Sequence, residues 1–287
     1  TYTTMAERLR GVERAVIPGF YGSMPNDTIR TFSRGGSDIT GAIVARATGS
    51  DLYENWTDVS GVLMADPRIV EDPEVIDIIT YNELRELSYM GATVLHEDAI
   101  FPVRLMGIPI NIRNTNKPED PGTMIVASAE GAGKNVITGI AGKPGFSSIT
   151  IEKDMMNSEV GFTRKVLSAL ESEGISFEHM PSGIDTLSII LATPVLEGKK
   201  ERILRAICDA VSPDSVFVED SIALIAVVGR GMVKAKGTAA RIFNAMASAG
   251  INIRMIDQGS SELNIVVGVD EHDFEEAIRA IYAEFTK

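Results

Sequence analysis

The sequence has a single cysteine, Cys208, in 287 residues. No disulfide framework can form within one such chain, and the usage fits a reducing compartment. Histidine is also scarce. His96, His179 and His272 are the three present, and none stands with cysteine at metal-ligand spacing, which argues against a zinc site. Basic residues are outnumbered: 27 Lys and Arg face 40 Asp and Glu, for a net charge of −13. That balance disfavours nucleic acid or an anionic membrane as partner, while leaving room for one local basic pocket. No apolar run is long enough to span a bilayer, and no secretory leader is visible. What is present is a core-forming share of hydrophobic residues, 44%, and a length that suits about two domains.

The densest chemistry is TFSRGGSD at 31–38, followed at once by an apolar run. Thr31 and Phe32 read as a strand end. Gly35 and Gly36 permit backbone angles and close approaches that a side chain forbids. Ser37 or Asp38 is expected to cap a helix running to about Thr48. A helix start offers free N–H groups to an anion, and the Arg34 fork fits a carboxylate or a phosphate. The loop suits a small anionic substrate, with a structural ion pair as the alternative for Arg34.

Along the chain, VIPGFY at 16–21 reads as a buried strand, and Pro25-Asn26-Asp27 as the turn of a hairpin returning through 28–32. A strand is expected at 50–56, loops at 57–62 and 66–68, and a helix at 80–89 with Thr80 and Glu83 as a capping box. A helix at 92–106 and strands at 109–114 and 123–127 follow. This alternation predicts a three-layer α/β sandwich. SAEGAGK at 128–134 is a flexible joint. Beyond it a pattern repeats. Strand 147–153, helix 158–173, strands 175–180 and 186–192, helix 197–210 and strand 215–219 form a βαββαβ unit. Strand 222–229, helix 237–249, strands 251–256 and 262–269 and helix 272–285 begin it again. The second copy lacks a last strand, which would leave an open edge. VITGIA at 136–141 is expected to supply it. The domains are then 1–130, 144–220, and a discontinuous unit of 135–143 with 221–287.

FSRGGSD (32–38), WTDVSGV (56–62), ADPRIV (65–70), GATVLH (91–96), IPINIRNTNKPEDPGT (108–123), NSEVGF (157–162) and GISFEHMPSGID (174–185) together resemble aspartate kinase. MNSEVGF (156–162) and EHMPSGID (178–185) look most like its lysine-regulated monofunctional bacterial subgroup. The resemblance implies the C-terminal part of a three-layer αβα amino acid kinase domain, then two ferredoxin-like ACT modules. The family opens with a KFGGT-type strand and loop whose lysine lies at the transferred phosphates. That motif does not occur in this sequence, so the N-terminal catalytic segment is expected to be missing and the chain alone to be inactive. Leu63 stands where a tyrosine usually flanks the adenine, Thr93 where a lysine reaches the nucleotide, and Glu97 where proline follows the histidine.

The implied reaction moves the γ-phosphoryl group of ATP, with Mg2+, to the side-chain carboxylate of L-aspartate, giving 4-phospho-L-aspartate. By resemblance, Arg34 pairs with a substrate carboxylate, and Gly35, Gly36 and Ser37 hold aspartate. Asp38 orients the catalytic lysine or the substrate ammonium, with a plain helix cap as the alternative. Trp56, Thr57 and Asp58 are expected at the nucleotide; otherwise Trp56 is core and Asp58 a turn residue. Asp66 and Arg68 are nucleotide contacts or a surface pair. His96 reads as structural. L-Lysine is the expected inhibitor, bound between first-repeat modules of a homodimer, or within a tetramer. Its implied ligands are Met156, Ser158, Gly161 and Phe162 at the first helix, with Phe177, Glu178, Ser182 and Gly183 on the second strand and turn. Helix-start N–H groups receive its carboxylate and Glu178 its ammonium, unless Glu178 is a solvated strand residue. Asp257, Gln258 and Ser260 at the related turn are module contacts or an L-threonine site. A cytoplasmic enzyme is expected, with an amino-acid-sensing subunit as the rival reading.

Overall fold

The computed structural model describes every residue except Ser33, Arg34, Thr93, Val94, His96, residues 130–134 and Lys287, and every described side chain except those of Glu97, Asp98 and Lys234. The first half runs α1 (Tyr2–Leu9), β1 (Tyr21–Ser23), β2 (Ile29–Thr31), α2 (Gly36–Thr48), β3 (Tyr53–Thr57), β4 (Ile78–Thr80), α3 (Tyr81–Tyr89), α4 (Glu97–Arg104), β5 (Ile110–Asn114) and β6 (Thr123–Val126). Four strands make a mixed sheet in the order β3-β5-β6-β4. β3 lies parallel to β5 and β4 parallel to β6, while β5 and β6 are antiparallel. Ile79, Ile110, Ile112 and Ile125 are fully buried in it, as residues alternating on a covered sheet should be.

Two expectations change here. The hairpin forms, but 16–20 is not a strand, and Val16 is 99% exposed. Pro18 has no N–H to give a ladder, and Phe20 takes a positive φ of 77° that breaks extension. The helix expected over 92–106 is the shorter α4, and Gly91 turns the chain at φ 105° after α3. Thr93, Val94 and His96 lie outside the described residues.

The second half runs β7 (Gly139–Glu152), a 3-10 turn (Met156–Ser158), α5 (Phe162–Ser172), β8 (Thr186–Ala192), α6 (Lys200–Val211), β9 (Ser215–Val228), α7 (Thr238–Ser248), β10 (Met255–Asp257), β11 (Asn264–Asp270) and α8 (Phe274–Phe285). One five-stranded sheet has the order β10-β11-β9-β7-β8, antiparallel throughout. Its spine is β7 against β9, each 14 residues long. Residues 139–143 pair with 224–228, and 148–152 with 215–219, with register shifts between. The strands expected separately at 215–219 and 222–229 are therefore one, which passes Ser221 at φ 63° without breaking. The strand expected at 175–180 is not formed. Only isolated bridges, His179 to Ile190 and Ser182 to Leu187, border β8, since Pro181 has no N–H for a ladder. The strand expected at 251–256 shrinks to β10.

Among the described residues there are two cores. One belongs to the first repeat alone and joins Ile149, Ile151, Val166, Ile189, Ile203 and Ile207. The other runs without a break from the first half, through Ile79 of β4 and Leu84 and Leu87 of α3, into the second repeat (Ile140, Ile225, Val267, Ile281). Helix α3 is the joint between the first half and the second repeat. Its capping box forms as expected, with Thr80 accepting from the Glu83 N–H and Glu83 accepting from the Thr80 N–H. Glu83 is 0% exposed, and its carboxylate also receives Thr138 Oγ1 at 2.6 Å, the Arg230 N–H at 2.9 Å and Arg230 Nη1 at 2.8 Å. Burial pushes its pKa up, but the bonds from Thr138, Arg230 and Thr80 outweigh burial and hold it below the ordinary value.

Candidate active site

Gly35 is the N-cap of α2 at φ 59°, ψ 22°, a left-handed conformation that glycine adopts without steric cost. Gly36 is buried, and a Cβ there would stand 2.7 Å from Phe20 Cδ2 and 2.8 Å from Phe32 Cβ. Glycine is thus needed at both places. Ser37 and Asp38 were expected to cap, but they fall inside the first turn, and no side chain caps this helix. Ser37 is exposed and lines a hollow of about 520 Å³ with Thr40 and Tyr53. The Asp38 carboxylate accepts from Asn55 Nδ2 at 3.0 Å. Asn55, buried on β3, also donates to the Tyr53 hydroxyl at 3.1 Å, and that hydroxyl donates to the Asp38 carbonyl at 3.2 Å. Burial raises the Tyr53 pKa; the Asn55 bond works against it and the Asp38 charge adds to it. Asn55 was not singled out from the sequence, although alternation along β3 places it on the face of Tyr53. Arg34 lies outside the described residues.

The opposite face of β3 carries Trp56, which is 44% exposed rather than core. The Arg113 guanidinium lies over its ring at 5.0 Å, and its Nε1 donates to Glu54 Oε2 at 3.3 Å. Thr57 Oγ1 donates to Asp58 Oδ1 at 3.3 Å, and Asp58 is exposed. The following loop is tied down by Asn114 Nδ2 donating to Ser60 Oγ at 2.8 Å and Ser60 Oγ donating to Asp120 at 2.6 Å. Arg68 then folds back on Asp66: Nε reaches Oδ1 at 3.0 Å, Nη2 reaches Oδ2 at 2.6 Å, and the Arg68 N–H reaches Oδ1 at 2.9 Å. The Arg68 side-chain bond holds the Asp66 carboxyl below its usual range. Asp66 and Arg68 line a cleft of about 650 Å³, whose far wall comes from β7 and α8 of the second half. Trp56, Thr57 and Asp58 are not among its lining residues. Among the described residues, one group, Asp270, His272 and Asp273, could gather three metal ligands; it lies just before the start of α8.

At the first repeat, Met156 and Phe162 belong to the module core, so their side chains are spent on packing and only their backbone is free to meet a ligand. Gly161 is the left-handed N-cap of α5 at φ 79°. Ser158 Oγ donates to the Met155 carbonyl at 2.8 Å. Glu159 is occupied by Lys153 and Lys165, each at 2.6 Å, and these bonds lower its pKa. The Gly183 N–H meets the Thr186 carbonyl at 2.8 Å. Phe177 is exposed. Glu178 accepts a short hydrogen bond from the Tyr89 hydroxyl at the end of α3, a link across 89 residues that no local pattern announces. That bond and burial push the Tyr89 phenol up to about 12. Asp257 pairs with His179 Nδ1 at 2.5 Å, a contact between the two repeats.

Residues 2–114 match the amino acid kinase family, and residues 225–285 match an ACT domain. Aspartokinase 3 of Bacillus subtilis is 45% identical over 280 residues, covering 97% of this chain and 62% of that protein. The crystal structure of Clostridium acetobutylicum aspartate kinase superposes with a TM-score of 0.92 at 57% identity, covering 99% of this chain and 66% of that one. Escherichia coli aspartokinase III, solved with aspartate and ADP, gives a TM-score of 0.73 at 28% identity over 94% of this chain and 60% of that one. The same E. coli enzyme has been solved with lysine and aspartate. This chain thus spans a little under two thirds of the relatives it matches. Over nearly its whole length it is similar to aspartokinases, with an amino acid kinase segment followed by an ACT segment.

Proposed function

We propose that the chain is the greater part of an aspartate kinase, which transfers the γ-phosphoryl group of ATP to the side-chain carboxylate of L-aspartate and is inhibited by L-lysine. The observation that carries this reading is the Asp38–Asn55–Tyr53 lock beneath a helix start with two obligatory glycines. Free N–H groups of α2, with Arg34 and Ser37, take the aspartate carboxylates. Asp38, aimed by Asn55, orients the substrate ammonium or a catalytic lysine. Phosphoryl transfer asks for position and charge neutralisation more than covalent work. The cleft of Asp66 and Arg68 takes the nucleotide, with Trp56 and Thr57 at its approach. Mg2+ is ordinarily held by one or two carboxylates plus substrate phosphates, and the exposed Asp58 is the carboxylate suited to that.

Lysine binds at the α5 start and the bordering turn, its ammonium on Glu178. Inhibition is a coupling between this site and the catalytic half. A homodimer through the first repeat completes the effector site, and the His179–Asp257 pair supports reading the second-repeat turn as a module contact. The domains divide as 1–130, 144–220 and 135–143 with 221–287, in a cytoplasmic enzyme. The kinase-family match over 2–114 disfavours a sensing role without catalysis. The test is hydroxylamine trapping by the protein that carries this chain. Hydroxamate from L-aspartate and Mg-ATP, and not from L-glutamate, is expected; ATP turnover without hydroxamate overturns the reading.

A further inference from the structure

We infer that Arg279 and Tyr282, on helix α8 of the second repeat, are positioning residues for ATP, because they hold the Asp66–Arg68 turn of the catalytic half in place. This rests on the nucleotide reading of that turn. Residues 62–76 form a narrow loop whose two arms pair. The Met64 N–H donates to the Glu74 carbonyl at 2.9 Å, the Ile76 N–H donates to the Val62 carbonyl at 2.8 Å, and Leu63 bridges Val75. The tip is wound tight, with the Ile69 and Val70 N–H groups both on the Asp66 carbonyl, at 2.9 and 3.0 Å. Asp66 and Arg68 ride on that tip.

The base of the loop is fixed by the catalytic half. Thr123 Oγ1 accepts from the Val62 N–H at 2.8 Å and donates to the Ile76 carbonyl at 2.7 Å. Further out, the anchors come from the second repeat. The Ile140 N–H donates to the Met64 carbonyl at 2.7 Å. Arg279 Nε donates to the Ile69 carbonyl at 2.9 Å, one residue past Arg68. The Tyr282 hydroxyl accepts from the Glu74 N–H at 2.9 Å, on the returning arm. Arg279 is itself braced, with Nη2 on Glu275 at 2.6 Å, so its planar fork holds Nε toward the loop. A loop fixed only at its base would have to be ordered when ATP binds, and that ordering would cost affinity. Helix α8 supplies the order in advance. Phosphoryl transfer depends on such placement.

Steady-state kinetics of the protein that carries this chain tests this, with the urea midpoint read alongside. Tyr282→Phe deletes only the hydroxyl, and Arg279→Met deletes the donor while keeping the stem. Each is expected to raise the KM for ATP about fivefold, the size of one lost hydrogen bond, with kcat, the KM for L-aspartate and the urea midpoint unchanged. Arg279→Lys keeps a donor for the Ile69 carbonyl and should recover most of the loss. Tyr282→Phe alters no charge, so the same shift there excludes a freed Glu275 as the cause. A matching loss in kcat or in the KM for L-aspartate overturns the inference in favour of a merely structural role. An unchanged KM for ATP in either variant, while Arg68→Met raises it, overturns it outright. If Arg68→Met leaves that KM unchanged as well, the nucleotide reading of the turn fails and takes the inference with it.

Discussion

Replacing Glu83 should damage the molecule more than any other single change at the joint between its halves. The carboxylate is fully buried, while the Arg230 side chain it holds is 22% exposed. Removing one member of a buried ion pair costs about 3–5 kcal/mol. Partial solvent access at Arg230 favours the lower end. The reciprocal cap with Thr80 adds about 1 kcal/mol. Glu83→Ala should therefore cost about 3–4 kcal/mol at neutral pH, read as a lower urea midpoint by fluorescence of Trp56, the one tryptophan. Glu83→Gln keeps the shape and one acceptor, so it should cost less. The pH dependence follows from the lowered pKa of Glu83, whose ordinary value is 4.5. A group with a depressed folded pKa stabilises above its unfolded pKa and loses that contribution as pH falls through the folded value. The gap between the unaltered protein and Glu83→Gln should thus be full at pH 7 and shrink only as the pH falls below the ordinary 4.5 and through the lowered folded value. A loss under about 1 kcal/mol for Glu83→Ala, smaller than the cap and the pair together allow, or a gap that persists in acid, would refute the reasoning.

Asn55→Ala frees Asp38 and should lower kcat about tenfold with little change in the KM for ATP, since roughly one hydrogen bond to a charged group is lost; steady-state kinetics with both substrates checks it. Asp66→Ala should change stability by less than about 1 kcal/mol, as expected for an exposed pair, while raising the KM for ATP several-fold because Arg68 loses its clamp. Glu178→Gln should raise the lysine concentration for half-inhibition at least tenfold, given that one charge-assisted bond is lost. Tyr89→Phe, which removes a competitor for the same carboxylate, should lower that concentration with kcat unchanged. Inhibition curves for both variants decide this, and parallel shifts would refute the competition.

Local signals were legible and long-range ones were not. The Thr80–Glu83 box could be read because both partners lie within one helical turn. The β8 strand was read to the residue from its alternation and flanking turns. Gly35 and Gly36 announced the α2 start, but not which residue would cap it, because the left-handed glycine takes the N-cap itself. The strand expected at 16–21 rested on apolar content alone, and those residues stay exposed around Pro18. The long β9 was split at Ser221 because a polar break reads like a turn, whereas its pairing with β7 carries it through. No periodicity marks Arg230 as the partner of Glu83 across 147 residues, Tyr89 as the partner of Glu178, or Lys143 as a wall of the cleft. Each exists only because the second half of the chain packs back against α3 and its neighbours, and such contacts arise from tertiary packing.

The most direct test of the account is ADP release by the protein carrying this chain, measured with saturating Mg-ATP against L-aspartate and then against L-lysine. The account predicts turnover that depends on aspartate and falls as lysine rises, with lysine inhibition weakened in Glu178→Gln. Turnover indifferent to aspartate, or lysine inhibition unchanged by that substitution, would contradict it.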